Sequence, residues 1–148
     1  MGLKELISEE LIVLEMNSQT KIDGIKELAE KMKISQRITD LDVYLDAVMV
    51  REEESTTGIG FGVGIPHGKS IAVQTPSLAF GRSQKGIAYD SMDGKPVHLL
   101  FLIAVPENSN DEHLRILSQL SRKLMHQEIR DRLMNAVDKE EIYTIIGE

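Results

Sequence analysis

The segment Gly58-Ile-Gly-Phe-Gly-Val-Gly-Ile-Pro-His-Gly-Lys-Ser70 sets one histidine, His67, among five glycines (58, 60, 62, 64 and 68). An imidazole has a reference pKa of about 6.5, so near neutral pH much of it carries an unprotonated nitrogen able to attack phosphorus. Pro66 stiffens the approach to the ring, and Gly68 leaves space beside it. Glycine amides around such a ring can donate hydrogen bonds to phosphoryl oxygens without side chains obstructing a partner. The chain has no cysteine, which removes a thiolate nucleophile, a disulfide framework and a Cys-based zinc site. Histidine is left as the obvious nucleophile at neutral pH.

The same segment imitates two nucleotide loops and matches neither. A dinucleotide fingerprint needs G-x-G-x-x-G between a strand and a helix, and no starting glycine here satisfies that spacing. A P-loop needs four residues between its first glycine and Gly-Lys-Ser; Gly64 is separated from Gly68-Lys69-Ser70 by three, and the required position holds Val63. The residues after Ser70 are β-branched and include Pro76, so no helix N-terminus follows to hold a nucleotide phosphate.

Phosphoryl transfer is catalysed mainly by positioning and electrostatic stabilisation, so His67 needs cations or donors around it. Two distant segments offer them. Arg51 ends a helical pattern just before the glycine run, and His113 falls in the first turn of a helix that follows an apolar strand. Helix N-termini favour anions, and loops beyond strand ends are the usual place for sites in α/β sheets. His98, inside the apolar strand, reads as a structural hydrogen-bonding residue, and His126 at a helix junction reads as exposed. Neither pairs with His67 at metal-ligand spacing, and no metal or cofactor is expected.

The elements that must position these residues are readable from periodicity. Leu11–Leu14 is short and β-rich, a first strand ending near Asn17. Ile22, Ile25, Leu28, Ala29 and Met32 form one stripe of a helix capped by Ser18 or Thr20. Leu41, Tyr44, Leu45, Val48 and Met49 form a second, with Thr39 as cap and Asp42 as the acid of a weak capping box, ending near Arg51 to Glu54. The glycine run predicts irregular or tightly turned backbone with at most a short strand into Ile65-Pro66. Leu78–Arg82 and Gly86–Tyr89 read as two short strands, and Asp93-Gly94 as a turn. Val97–Val105 is nearly unbroken apolar sequence, as in a strand covered on both faces. Ser109-Asn-Asp-Glu112 predicts a capping box before a helix carrying Leu114, Leu117, Leu120 and Leu124. Two shorter helices follow, around Ile129 to Val137 and Glu140 to Ile146. The order implies one domain over 1–148, a three-layer α/β/α sandwich on a mixed sheet, without the β-α-β alternation of a Rossmann fold.

The 24 acidic and 17 basic residues give a formal charge of −7, which argues against nucleic acid as a partner. The amino terminus lacks an uninterrupted apolar core, and no run of about 18 apolar residues occurs, so a cytoplasmic protein that meets a membrane only indirectly is expected.

Taken together, Arg51-Glu, Ser55-Thr-Thr-Gly-Ile-Gly60 and Gly62-Val-Gly-Ile-Pro-His-Gly-Lys69 resemble the signature of the enzyme IIA domains of the bacterial phosphoenolpyruvate-dependent sugar phosphotransferase system, fructose/mannitol family. Phe80-Gly-Arg-Ser, Tyr89-Asp-Ser-Met-Asp-Gly-Lys-Pro-Val97 and His113-Leu-Arg-Ile-Leu-Ser-Gln-Leu120 resemble its fructose branch. Gly64 departs from the alanine common in the family. The resemblance implies that His67 accepts phosphate from the phosphocarrier protein HPr and passes it to a cysteine of an enzyme IIB domain. It also implies that His113 and Arg51 attend the phosphoryl group, with Thr57 as an additional hydroxyl donor. Ile59 and Phe61, beside the loop, are the expected apolar rim for docking. A regulatory enzyme IIA of the nitrogen type is the alternative, and a histidine-based metallohydrolase is a reading of a different class.

Overall fold

The computed structural model describes residues 2–148. Two turns of 3-10 helix, Leu3–Glu5 and Glu9–Leu11, lead into β1 (Ile12–Val13), α1 (Lys21–Ile34) and α2 (Leu41–Glu54). Three short strands follow: β2 (Gly58–Gly60), β3 (Val63–Gly64) and β4 (His67–Ser70). Two long strands, β5 (Ser77–Ile87) and β6 (Val97–Pro106), precede α3 (Glu112–Leu124), α4 (Gln127–Asn135) and α5 (Lys139–Gly147).

The sheet order is β1-β5-β6-β3-β2, with β4 paired to β6 off that path. β6 is its axis. β5 runs antiparallel along one side of it, and β3 and β4 lie end to end, both parallel, along the other, with Val63 opposite Leu99 and His67 opposite Ile103. β1 is parallel to β5 and β2 antiparallel to β3, so the sheet is mixed, as expected. α1 and α2 cover one face, α3 and α4 the other, and α5 packs against β1 and the first 3-10 turn. The apolar run of β6 is buried at Val97 and from Leu99 to Val105, each Val, Leu, Ile and Phe side chain contributing about 1.5–3 kcal/mol by removal from water.

Local chemistry sets the helix starts, not always where the pattern predicts. Thr20, not Ser18, caps α1 by accepting from the Asp23 amide, while the Ser18 hydroxyl donates to Glu27. Ile22 of the predicted stripe is 52% exposed; Gly24 lies against the sheet instead, beside Leu100 and Ile87. Asp40, not Thr39, caps α2 through the Val43 amide, because the Thr39 hydroxyl donates to the Ala72 carbonyl. The Ser109–Glu112 capping box does not form. Ser109 Oγ turns back to the Pro106 carbonyl, Glu112 pairs with Arg115, and α3 starts after Asp111.

In the sheet one further expectation is corrected and another is extended. Leu78–Arg82 and Gly86–Tyr89 are not separate strands: residues 77–87 form one strand, whose register slips between Arg82 and Ile87, where Gly86 has φ of 93°. The glycine run is tightly turned, as the sequence predicts, but it holds more strand than one short segment. It makes a tight β2–β3 hairpin, with Gly60, Phe61 and Gly62 in succession at positive φ, and then the regular strand β4. Gly68 is required by close approach. A Cβ there would lie 2.8 Å from Val48 Cγ2 and 3.2 Å from the Val48 amide nitrogen, so its bareness seats α2 on β4 rather than opening space to a partner.

Candidate phosphoryl-transfer site

His67 is the first residue of β4, and among the described residues β4 pairs with β6 alone. Successive strand residues face opposite sides; Gly68 faces α2, so His67 projects to the side of α3. An open groove of about 440 Å³ runs there, walled by Ala47, Val50, Arg51 and Glu54 of α2 and by His113, Leu114 and Leu117 of α3, with His67, Gly68 and Lys69 at its floor. The fold thus brings together Arg51, His67 and His113, which are far apart in sequence.

The His67 ring is 9% exposed and its Nδ1 lies 3.1 Å from the Ile65 carbonyl oxygen. A carbonyl only accepts, so Nδ1 carries the proton and Nε2 keeps a lone pair. Burial pushes the His67 pKa below its usual 6.5; the bond to Ile65 opposes this, and the charges of Arg51 and His113 reinforce it. The ring is therefore neutral and nucleophilic at neutral pH. His113 stacks beside it, ring centroids 6.2 Å apart and planes at 27°, and its Nδ1 is buried without a hydrogen-bond partner. Arg51 gives Nη1 to the Ser55 carbonyl at 3.0 Å, tying the end of α2 to the following turn. Lys69, two residues beyond His67 on the same strand, donates to the Asn110 carbonyl at 2.9 Å and fastens β4 to the loop that delivers His113.

Thr57 is placed differently. It is 4% exposed, behind the groove, and its hydroxyl donates to Glu52 Oε2 at 2.6 Å. With its single proton so engaged, it accepts from the Tyr89 hydroxyl at 2.7 Å. Glu52 is held in turn by Lys21 at 3.0 Å. Sequence reasoning missed Glu52, Tyr89 and Lys21. An acid beside Arg51 at a helix end has the look of a solvated charge, and no spacing links it to residues 21 or 89.

Phe61 does not rim the His67 groove. It is 72% exposed at the hairpin tip and lines a separate groove with His98, Leu99, Arg130 and Met134, with the Arg130 guanidinium 4.6 Å from its ring centre. Strand β6 separates Leu99 from Ile103, the partner of His67, by about 13 Å at about 3.3 Å per residue. The apolar rim of the His67 groove comes instead from Val50 and Leu114, both exposed, and Leu117. His98 donates Nδ1–H to the Ser83 carbonyl, 2.8 Å away, as a structural histidine should, and His126 is exposed. Among the described residues no cluster of three or more His, Asp or Glu is arranged to hold a metal ion.

Residues 5–148 match the family described as "Phosphoenolpyruvate-dependent sugar phosphotransferase system, EIIA 2". The chain belongs to that family. It is 47% identical over 139 residues to the fructose-specific EIIA component of Haloferax volcanii, covering 94% of this chain and 90% of that protein. It is 40% identical over its full length to the fructose-specific EIIABC component of Bacillus subtilis, of which it spans 23%. Among solved structures, the nitrogen regulatory protein IIA-Ntr of Neisseria meningitidis superposes with a TM-score of 0.88 at 35% identity, over 97% of each chain. The mannitol enzyme IIA of Escherichia coli, solved in complex with phosphorylated mannitol enzyme IIB, shares the fold with a TM-score of 0.81 at 20% identity, over 95% of this chain and 96% of that one. Enzyme IIA proteins are the phosphoryl carriers of the phosphotransferase system, and among the described residues no helix of this one is long and apolar enough to cross a membrane.

Proposed function

We propose that the chain accepts a phosphoryl group on His67 Nε2 from the phosphocarrier HPr and passes it to the cysteine of an enzyme IIB domain, in service of fructose-type uptake. The observation that carries this reading is the His67 ring itself, neutral, tied by Nδ1–H to the Ile65 carbonyl, with Nε2 left as the attacking atom in a groove shared with Arg51 and His113. The Nε2 lone pair forms the new N–P bond in line as the donor's N–P bond breaks, and the bonding pair returns to the donor imidazole. Positive charge then develops on the His67 ring, and the Ile65 carbonyl stabilises it through Nδ1–H. In the onward step a thiolate attacks phosphorus and the N–P pair returns to His67.

Arg51 and His113 supply the positive field for the phosphoryl oxygens. A buried ring nitrogen without a partner costs about 1–3 kcal/mol, and an arriving phosphoryl oxygen relieves that cost at His113 Nδ1. Thr57, whose hydroxyl is engaged with Glu52, supports the site from behind. No step requires a cofactor or a metal, and the sugar stays outside this domain. The fructose assignment rests on the 47% identical fructose-specific relative.

The test is phosphorylation by labelled phosphoenolpyruvate with enzyme I and HPr, wild type against His67→Gln. The expected product is an acid-labile, alkali-stable phosphate on wild type alone; equal labelling of the variant would overturn the assignment. A second reading, a regulatory carrier, is favoured by the close superposition with the nitrogen regulatory protein. Label that reaches His67 but does not move to a fructose-type enzyme IIB supports that reading instead.

A further inference from the structure

The last turn of α2 contains a local conflict. Glu52, Glu53 and Glu54 stand in succession at a helix C-terminus, where the exposed carbonyls favour cations. Glu52 is moreover nearly buried, its side chain 7% exposed. A carboxylate kept where both the helix dipole and desolvation oppose it needs strong partners. Glu52 has two, the Lys21 ammonium at 3.0 Å and the Thr57 hydroxyl at 2.6 Å.

Thr57 links this pair to the reacting ring by a separate route. Its side chain binds Glu52, while its backbone carbonyl accepts from the Ile65 amide at 3.0 Å, closing the base of the β2–β3 hairpin. The Ile65 carbonyl then holds His67 Nδ1. Between Thr57 and Ile65 lie the glycines at 58, 60, 62 and 64, which have no side chains with which to fix themselves. Tyr89 fills that role from outside. Its ring occupies the space a Cβ of Gly58 or Gly64 would enter, its hydroxyl reaches Thr57, and Lys21 lies over its face at 4.6 Å. Arg51 is the immediate neighbour of Glu52 on the same turn.

We infer that Glu52, Thr57 and Tyr89 are positioning residues for phosphoryl transfer, holding the Arg51 turn and the Ile65 carbonyl in register so that His67 presents Nε2. None of them touches the reacting atoms. The inference rests on His67 as phosphoacceptor for its kinetic consequence, but not for its structural one. Misplacing a reacting group by about 1 Å is enough to cost about 100-fold in rate.

The experiment reads two signals on Thr57→Val, Thr57→Ser and Tyr89→Phe: the rate of phosphorylation by phospho-HPr, and the nitrogen-15 and proton shifts of the His67 ring, which report its tautomer. In wild type the ring is the Nδ1–H tautomer. Thr57→Val is expected to slow phosphorylation about 10- to 100-fold and to move the ring toward the Nε2–H form, Thr57→Ser to restore both, and Tyr89→Phe to give a smaller change of the same sign. Wild-type rate and ring shifts in folded Thr57→Val overturn the inference. If that variant does not fold, Tyr89→Phe decides by the same criteria. If wild type itself takes no phosphate from HPr, the functional reading fails, and the ring shifts still decide the positioning role.

Discussion

Two histidines at opposite ends of β6 are held in the same way and sit in different company. His67 and His98 each place Nδ1 against a backbone carbonyl, Ile65 at 3.1 Å and Ser83 at 2.8 Å, and each lines a groove. Around His67 stand Arg51 and the stacked, partly unpartnered His113. Around His98 the nearby cation, Arg130, lies over the Phe61 ring and donates to the Leu124 carbonyl, and Asp131 lines the groove. Fixing a tautomer prepares an imidazole, but it takes a positive field to make phosphorus its target.

The largest break in this comparison is deletion of the rings. His67→Gln should abolish phosphate acceptance, a loss of at least about 1000-fold, while His98→Gln should stay within about twofold of wild type in the same labelling assay. Label lost equally from both would mean that the two ends are not functionally distinct.

Next in size is the field around each ring. Arg51→Ala or His113→Ala should slow phosphorylation by about 100-fold, the effect of removing one preorganised donor, with circular dichroism unchanged. Arg130→Ala, which strips the cation from the other groove, should leave the rate alone. Stopped-flow phosphorylation by phospho-HPr reads all three.

A third contrast separates stability from transfer. Near the His98 end, buried Arg82 donates to four carbonyls, those of Leu14, Leu133, Met134 and Ala136, and so binds the end of α4 to β5 and to the chain after β1. Arg82→Leu leaves those acceptors unmatched and should cost at least about 2 kcal/mol, seen as a fall in Tm of about 4–8 °C. Phosphorylation of the folded fraction should persist; a rate loss beyond tenfold would show that the two ends are coupled.

The smallest effect is in pH. Because burial depresses the His67 pKa, its ring should titrate below 6.5 by NMR. In the window beneath pH 6.5 the unfolded chain holds a proton that the folded ring refuses, so this residue makes stability fall as pH drops and recover as pH rises through 6.5. His67→Gln should flatten that segment of the stability profile. A His67 midpoint at or above 6.5 would contradict the desolvated, neutral ring.

The sequence makes the central strand, the helices and the proposed phosphoacceptor, His67, legible for physical reasons. Val97–Val105 is an apolar run broken only by His98, and a run buried on both faces leaves no alternation to misread. Arg51 and His113 are legible as types at helix ends, but only the fold shows that α2 and α3 wall one groove. The glycine run is opaque because glycine permits both irregular loops and close packing; Gly68 is required by Val48, twenty residues earlier, which no local pattern encodes. The capping errors at Thr39 and Ser109 share one cause. Each hydroxyl is taken by a nearby carbonyl, Ala72 or Pro106, leaving the helix to start on the next suitable residue. The Thr57 hydroxyl is the same lesson within the site: a donor by type, but already committed to Glu52.

β4 is a four-residue edge strand, and edge strands present unpaired backbone groups on which other chains can polymerise. Here the walls α2 and α3 rise on either side of that edge, and the exposed Lys69 ties it to the Asn110 carbonyl. The groove proposed to admit a phosphoryl donor is therefore also a guard against fibrous self-association. Loss of either wall would uncover that edge, so aggregation would accompany any loss of transfer.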